Sequence, residues 1–162
     1  MITFLVLNYL LLFTARHAVL PDSMDEYKLP VHDSTILLQW SVFTNTTFYT
    51  KRVDTLGGLD IAFPKFTDEQ KKLKGKTVAL KGYVIPLMNE DEKIMIILSK
   101  FPNSSCFFCG AAGPESVVQV NLKQNRKAYK TDQIVIFKGK LLLNDQDLNQ
   151  LNFILDQAEI MN

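Results

Sequence analysis

Histidine is nearly missing from this chain: 162 residues hold two, His17 and His32. Hydrolytic triads and His-Glu-x-x-His metalloprotease sites both need well-placed imidazoles, so neither chemistry is supplied. No glycine-rich phosphate loop and no Gly-x-Gly-x-x-Gly fingerprint occurs. The carboxylates are scattered, and none pair in a way that suits acid–base catalysis. Charge is also lacking: Lys plus Arg is 18 against Asp plus Glu at 17, a net of +1. That balance gives no general pull toward nucleic acid or anionic membranes. Long internal repeats, low-complexity tracts and heptad runs are absent. Cysteine is limited to two residues, Cys106 and Cys109. None lies near the N-terminus, which excludes a bacterial lipoprotein anchor.

What is present is apolar. Hydrophobic residues make up 47%, with 11 Phe and 5 Tyr, enough for a packed core in one domain. The opening segment, Ile2 to Phe13, is nearly all apolar. About 12 such residues suit a signal-peptide core and fall short of the roughly 20 that span a bilayer. Residues 1–18 are therefore expected to be a signal peptide, with Ala15 or Ala18 near the cleavage point, or an uncleaved N-terminal anchor. A buried N-terminal helix or strand is the alternative. Export is therefore expected, with membrane contact only through this segment. Residues 19–35, with two prolines and four acids, read as a linker.

The folded domain is expected over 36–162. Trp40 and Phe43 stand three apart, as on one helical turn, and Thr47 to Val53 reads as a strand. Residues 54–64 read as turn-rich, with Gly57-Gly58 and Pro64. A short helix follows, with Thr67 as N-cap, Asp68 and Glu69 in its first turn, lysines in its last, and Gly75 as its stop. From Lys76 onward the pattern is all β. Val78, Leu80, Gly82 and Val84 share one face. The run Ile94 to Leu98 is almost continuously apolar, as in a strand buried on both sides or closed into a barrel. Val118, Val120 and Leu122 point inward, with Gln119 and Asn121 outward. A long strand precedes the turn Asn144 to Asp147, and a last one places Phe153 and Leu155 together. Asn89 to Asp91 reads as a turn.

Two strands carry Lys-Gly at mid-length, at Gly82 and Gly139. Glycine inside a strand marks a bulge or sharp bend, and bent long strands let a small sheet close on itself. The fold class is therefore mainly β: a small five-stranded OB-like barrel with a short helix and an N-terminal extension.

The segments Gly82-Tyr83-Val84-Ile85-Pro86-Leu87 and Cys106 to Ser116 resemble a family of exported bacterial OB-like domains of unknown function. Such proteins pair a tryptophan-bearing lead segment with a Gly-Tyr-x-x-Pro-Leu strand, a Cys motif and a closing strand. The resemblance spans roughly residues 37 to 160. It implies a bacterial envelope location, most simply the periplasm, and no known activity.

The Cys106-Phe107-Phe108-Cys109-Gly110 loop is the candidate site, and three readings stay open. Zinc or another transition metal could take both thiolates, but tetrahedral zinc wants four ligands. A site would need Glu115, His32, a second protomer or water. The pair could be a redox disulfide, although no helix pattern follows to lower a thiol pKa. It could also be a structural staple, worth roughly 2 kcal/mol for so short a loop. Haem attachment is excluded because Gly110 stands where a histidine is needed. Gly113 and Pro114 read as a tight turn with positive φ at Gly113; a backbone anion nest is the alternative. Tyr83, Phe107, Phe108, Gly110 and Gly113 join the cysteines as ligand candidates. A basic stretch, Lys123, Arg126, Lys127 and Lys130, offers only a faint nucleic-acid surface. The expected role is non-enzymatic: binding a metal ion, a small ligand or an envelope partner at this loop. A thiol–disulfide protein and a purely structural domain are the alternatives.

Overall fold

The structure, a computed structural model, describes residues 34–54, 57–88, 94–124 and 128–161. All belong to one compact unit, His32 to Asn162. The apolar opening segment, both histidines, most of the linker, the turn at 89–91, Arg126 and Lys127 lie outside the described residues.

The described residues form eight strands and two short helices: β1 Ile36–Leu38, α1 Ser41–Thr44, β2 Thr47–Val53, β3 Leu59–Lys65, α2 Asp68–Leu73, β4 Thr77–Met88, β5 Ile94–Ser99, β6 Val117–Leu122, β7 Ile134–Leu143 and β8 Phe153–Ile160. The main sheet runs β1-β4-β5-β6-β8-β7, and β7 pairs back onto β4. Five strands, β4 to β8, thus close a barrel of the OB type, with β6 and β8 parallel and the other pairs antiparallel. No helix among the described residues is long and apolar enough to cross a membrane.

β4 makes the closure possible. Its first half, Thr77 to Tyr83, pairs with β7, and its second half, Tyr83 to Met88, pairs with β5. Gly82 sits at the changeover. A Cβ there would lie 2.6 Å from the Ser99 carbonyl oxygen and 2.9 Å from Leu98 Cγ. Only a residue without a side chain lets the two strands come this close. Pro86 is harmless for a related reason. The Val84 N–H points to Gln133 O on the β7 side at 2.9 Å. Two residues on, the nitrogen of Pro86 faces that same side, where β7, starting at Ile134, no longer runs.

The lead segment fills what the bend leaves open. β1 lies parallel to β4 from Val78 to Leu80, on the side that β5 takes up only from Tyr83. Between them, the indole N–H of Trp40 donates to the Lys81 carbonyl at 2.8 Å. α1 then drives Phe43, fully buried, against Phe153 at 4.6 Å between ring centres. Phe66 meets Phe153 from a second direction at 5.6 Å. Thr67 caps α2 as expected, and the cap is a capping box, in which Thr67 and Gln70 bond reciprocally. The surprise is that Gln70 is fully buried. Its amide donates to Val42 O at 2.8 Å and Thr46 Oγ1 at 2.7 Å, and its carbonyl accepts from Thr67 N at 2.8 Å. A buried amide with these partners ties α2 to α1 at little desolvation cost.

One expectation needs correction, and two features go beyond the expectations. Residues 59–65 are a strand, not a turn-rich stretch; β3 pairs with β2 along its length, Pro64 opposite Phe48. Proline is tolerated because this two-stranded sheet has free outer edges. β1 is a sixth strand of the main sheet, too short to show a periodicity. In β8, Phe153 and Leu155 share the core with Ala158, out of simple alternation. Gln157, at φ 51°, forms a bulge beside the register shift at Lys138/Lys140, and a Cβ on Gly139 would meet Asp156 O at 2.9 Å.

Gly82→Ala should lower stability by about 1–3 kcal/mol through overpacking at the strand crossing. Urea unfolding should show a lower midpoint with an unchanged slope.

Candidate functional site

The loop joining β5 to β6, residues 100–116, is closed at its neck. Lys100 N donates to Ser116 O at 2.9 Å, and Phe101 N to Ser99 Oγ at 3.1 Å. Further out, Asn103 N donates to Asp132 Oδ1 at 2.7 Å. Asp132 adopts φ 63° and bonds through its own N–H to Val84 O at 2.9 Å. Aspartate is among the few residues that visit this left-handed region at modest cost. The loop is thereby fastened to β4 and to the start of β7. Inside it the backbone makes three 3-10 turns, Asn103–Ser105, Phe107–Cys109 and Pro114–Ser116.

Glycine chemistry in the loop differs from expectation. Gly110, not Gly113, takes the positive φ, 74°, and ends the second turn. Gly113 stands at φ −83° and ψ 167°, since Pro114 forces the residue before it into extended backbone. Its missing side chain serves another purpose: the Glu115 carboxylate folds back into the space a Cβ would take.

Side chains of the loop split into two sets. Cys106 is fully buried on the outside of the barrel, in a second apolar cluster with Ile85, Ile97 and Val117. Leu87, Met95, Phe107 and Leu151 pack around it. These are the outward positions of β4, β5 and β6, which explains the unbroken apolar run of β5. Ile96 and Leu98 face the barrel core, while Ile97 faces the loop. Phe108, Phe101 and Cys109 point the other way, and Phe108 is 44% exposed. The rings of Phe107 and Phe108 meet edge to face at 5.3 Å. Gln119 was expected to face outward. It does leave the barrel, yet it is buried, accepting from Leu151 N at 3.1 Å and donating to Asn121 Oδ1 at 3.0 Å.

Both cysteines are free thiols. Cys109 Sγ donates to Asn103 O at 2.9 Å, while Cys106 Sγ lies 3.9 Å from Asn103 Oδ1. The Cys109 thiol stands above its ordinary value of 9.0. Partial desolvation of its sulfur is the main cause, followed by the hydrogen bond and like charge of Cys106. A raised value keeps Cys109 protonated at neutral pH, the opposite of an activated nucleophile.

The expected metal donors do not assemble. Among the described residues no three His, Cys, Asp or Glu side chains come together, so Glu115 does not join Cys106 and Cys109. Two sulfurs, one fully buried, fall short of the four donors tetrahedral zinc takes. Tyr83 is half-buried at the β4 changeover, opposite both Ser99 and Ile134, at the base of the loop. Sequence reasoning missed Asp132 and Leu151, which hold the loop from other elements. Their only local signal was aspartate before a strand and an apolar residue after a turn.

No family model matches the chain, and neither does any curated protein. Among solved structures, a DUF3299 family protein from Pseudomonas aeruginosa PAO1 is similar, at 11% identity and a TM-score of 0.47. The match covers 80% of this chain and 97% of that one. DUF3299 is a domain of unknown function, and at this identity the match says nothing about the two sequence motifs.

N-ethylmaleimide should label Cys109 in the folded protein and both cysteines only in denaturant. The labelling rate of Cys109 should climb as the thiol ionises, with its midpoint above pH 9.0, since the folded state disfavours the thiolate. Equal labelling of both thiols under native conditions would contradict the burial of Cys106.

Proposed function

We propose that the chain is an exported, non-enzymatic binding domain whose contact surface is the outer side of the Cys106–Cys109 loop. One observation carries this reading. The loop buries Cys106 and Phe107 and presents Phe101, Phe108 and Cys109 on a frame fixed at its neck and at Asp132. A fixed frame loses little conformational freedom on binding, so contacts made there are not offset by ordering. Exposed aromatic rings are also the side chains that most often anchor interfaces. The loop further covers the outer face of β5 and β6, a face on which OB domains commonly hold oligonucleotides. This supports a protein or small ligand of the bacterial envelope as partner, and no nucleic acid.

The test places a photo-reactive phenylalanine analogue at position 108 and, as a control, at Thr50 on β2. Cross-linked adducts in cells from position 108, absent from the control and diminished by Phe101→Ala, are expected. The same adducts from both positions, or none from either, would sink the proposal.

A second reading is favoured by the placement of both free thiols beside Asn103: the pair closes as a disulfide staple in an oxidising envelope. The raised Cys109 thiol supports a passive staple over an exchange catalyst. Alkylation of the protein in intact cells should then find both cysteines blocked until a reductant is added. Free thiols in the oxidised envelope would rule the staple out.

A further inference from the structure

The β2–β3 hairpin forms a sheet of its own, separate from the barrel sheet. Tyr49 and Phe63 are direct cross-strand partners on one face of it. Their rings stack with centroids 6.0 Å apart and planes 29° from parallel, and Tyr49 stays 52% exposed. Lys51 follows on the same face, two residues along the strand. Across a cleft of about 520 Å³ lies the loop between β7 and β8, which contributes Asp145, Gln146 and Leu148. That volume falls within the roughly 300–1,000 Å³ of small-molecule sites.

The far wall is built, not loose. Asn144 Oδ1 accepts from Gln146 N at 3.2 Å and Asp147 N at 2.9 Å, and its amide donates to Asp147 O at 2.7 Å and Gln150 O at 3.2 Å. Asp147 in turn accepts from Asn149 N at 3.0 Å and Gln150 Nε2 at 2.7 Å. The Gln150 bond, then the Asn149 bond, hold its carboxyl below the usual carboxylate range. On this frame Asp145 and Gln146, with Lys51 opposite, have no side-chain hydrogen-bond or ion-pair partner among the described residues. Donors and acceptors that could bond each other or the loop instead stand toward the cleft.

We infer that this cleft binds a neutral oligosaccharide. A half-exposed tyrosine backed by a second ring is a flat apolar platform, suited to the C–H face of a pyranose. Hydroxyl groups at the rim of such a ring both donate and accept. Lys51 can donate to them, Asp145 can accept, and Gln146 can do both. The charges of Lys51 and Asp145 offset each other, which gives no preference for a polyanion. An open cleft with polar walls suits a ligand that stays partly in water. The site is separate from the cysteine loop, and this inference stands or falls independently of the function proposed for that loop.

The test is an array of neutral oligosaccharides of glucose, N-acetylglucosamine, galactose and mannose, followed by titration into the isotope-labelled full chain. At least one sugar should bind and shift resonances of Tyr49, Lys51 and residues 145–148. Tyr49→Ala should weaken it by about tenfold or more, while Tyr49→Phe should stay within about threefold. Asp145→Asn, in an exposed turn, is the second variant and should weaken binding without altering the circular dichroism spectrum. Three outcomes would overturn the inference: no sugar binds, binding ignores both Tyr49→Ala and Asp145→Asn, or adenosine occupies the cleft and sugars do not.

Discussion

The close approach of β4 and β5 at Gly82 is the contact on which the rest of this domain depends. One strand must serve two neighbours, β7 along its first half and β5 along its second. A side chain at the changeover would strike the Ser99 backbone. With glycine there, the sheet bends, β7 returns to β4 and the barrel closes without free edges among its five strands. The bend also exposes a stretch of β4 backbone between β1 and β5. Trp40 occupies that gap through its bond to Lys81, and the same lead segment delivers Phe43 to the core. Tryptophan and glycine, far apart in the chain, answer one geometric problem.

Closing the barrel creates a second problem on its outer surface. β5 carries apolar residues on both faces, so something must cover Ile97 and its neighbours. The loop that leaves β5 does this itself, with Cys106 as the deepest residue and Phe107 beside it. Cys106 is therefore a core residue by position, and Cys109 a surface residue three places later. That asymmetry, more than the Cys-x-x-Cys spacing, shapes what the pair can do. One sulfur is buried in an apolar cluster and the other is exposed, with its thiol held above the ordinary value.

Much of the fold was legible because strand signals are local. Alternation at Val78, Leu80 and Val84, the N-cap at Thr67 and the two mid-strand glycines each rest on residues within a few positions of one another. The misreadings have a common cause as well. β3 looked like a turn because Gly57, Gly58 and Pro64 are local turn signals, yet pairing with β2 overrode them. Gly113 looked like a left-handed turn residue, but the following proline decides its backbone. Ala158 joins the core only because a bulge at Gln157 resets the alternation.

The sequence by itself determined that the segments from Lys76 onward become strands, where two of them bend and which loop carries both cysteines, since propensity and periodicity act between near neighbours. Tertiary structure alone decided that Gln70 and Gln119 are buried, that Asp132 anchors the cysteine loop, and that Cys106 lies in a core while Cys109 does not. Each of these depends on which distant segments the closed barrel brings together. That pairing is set by the summed burial of the whole chain, and no window of neighbouring residues contains it.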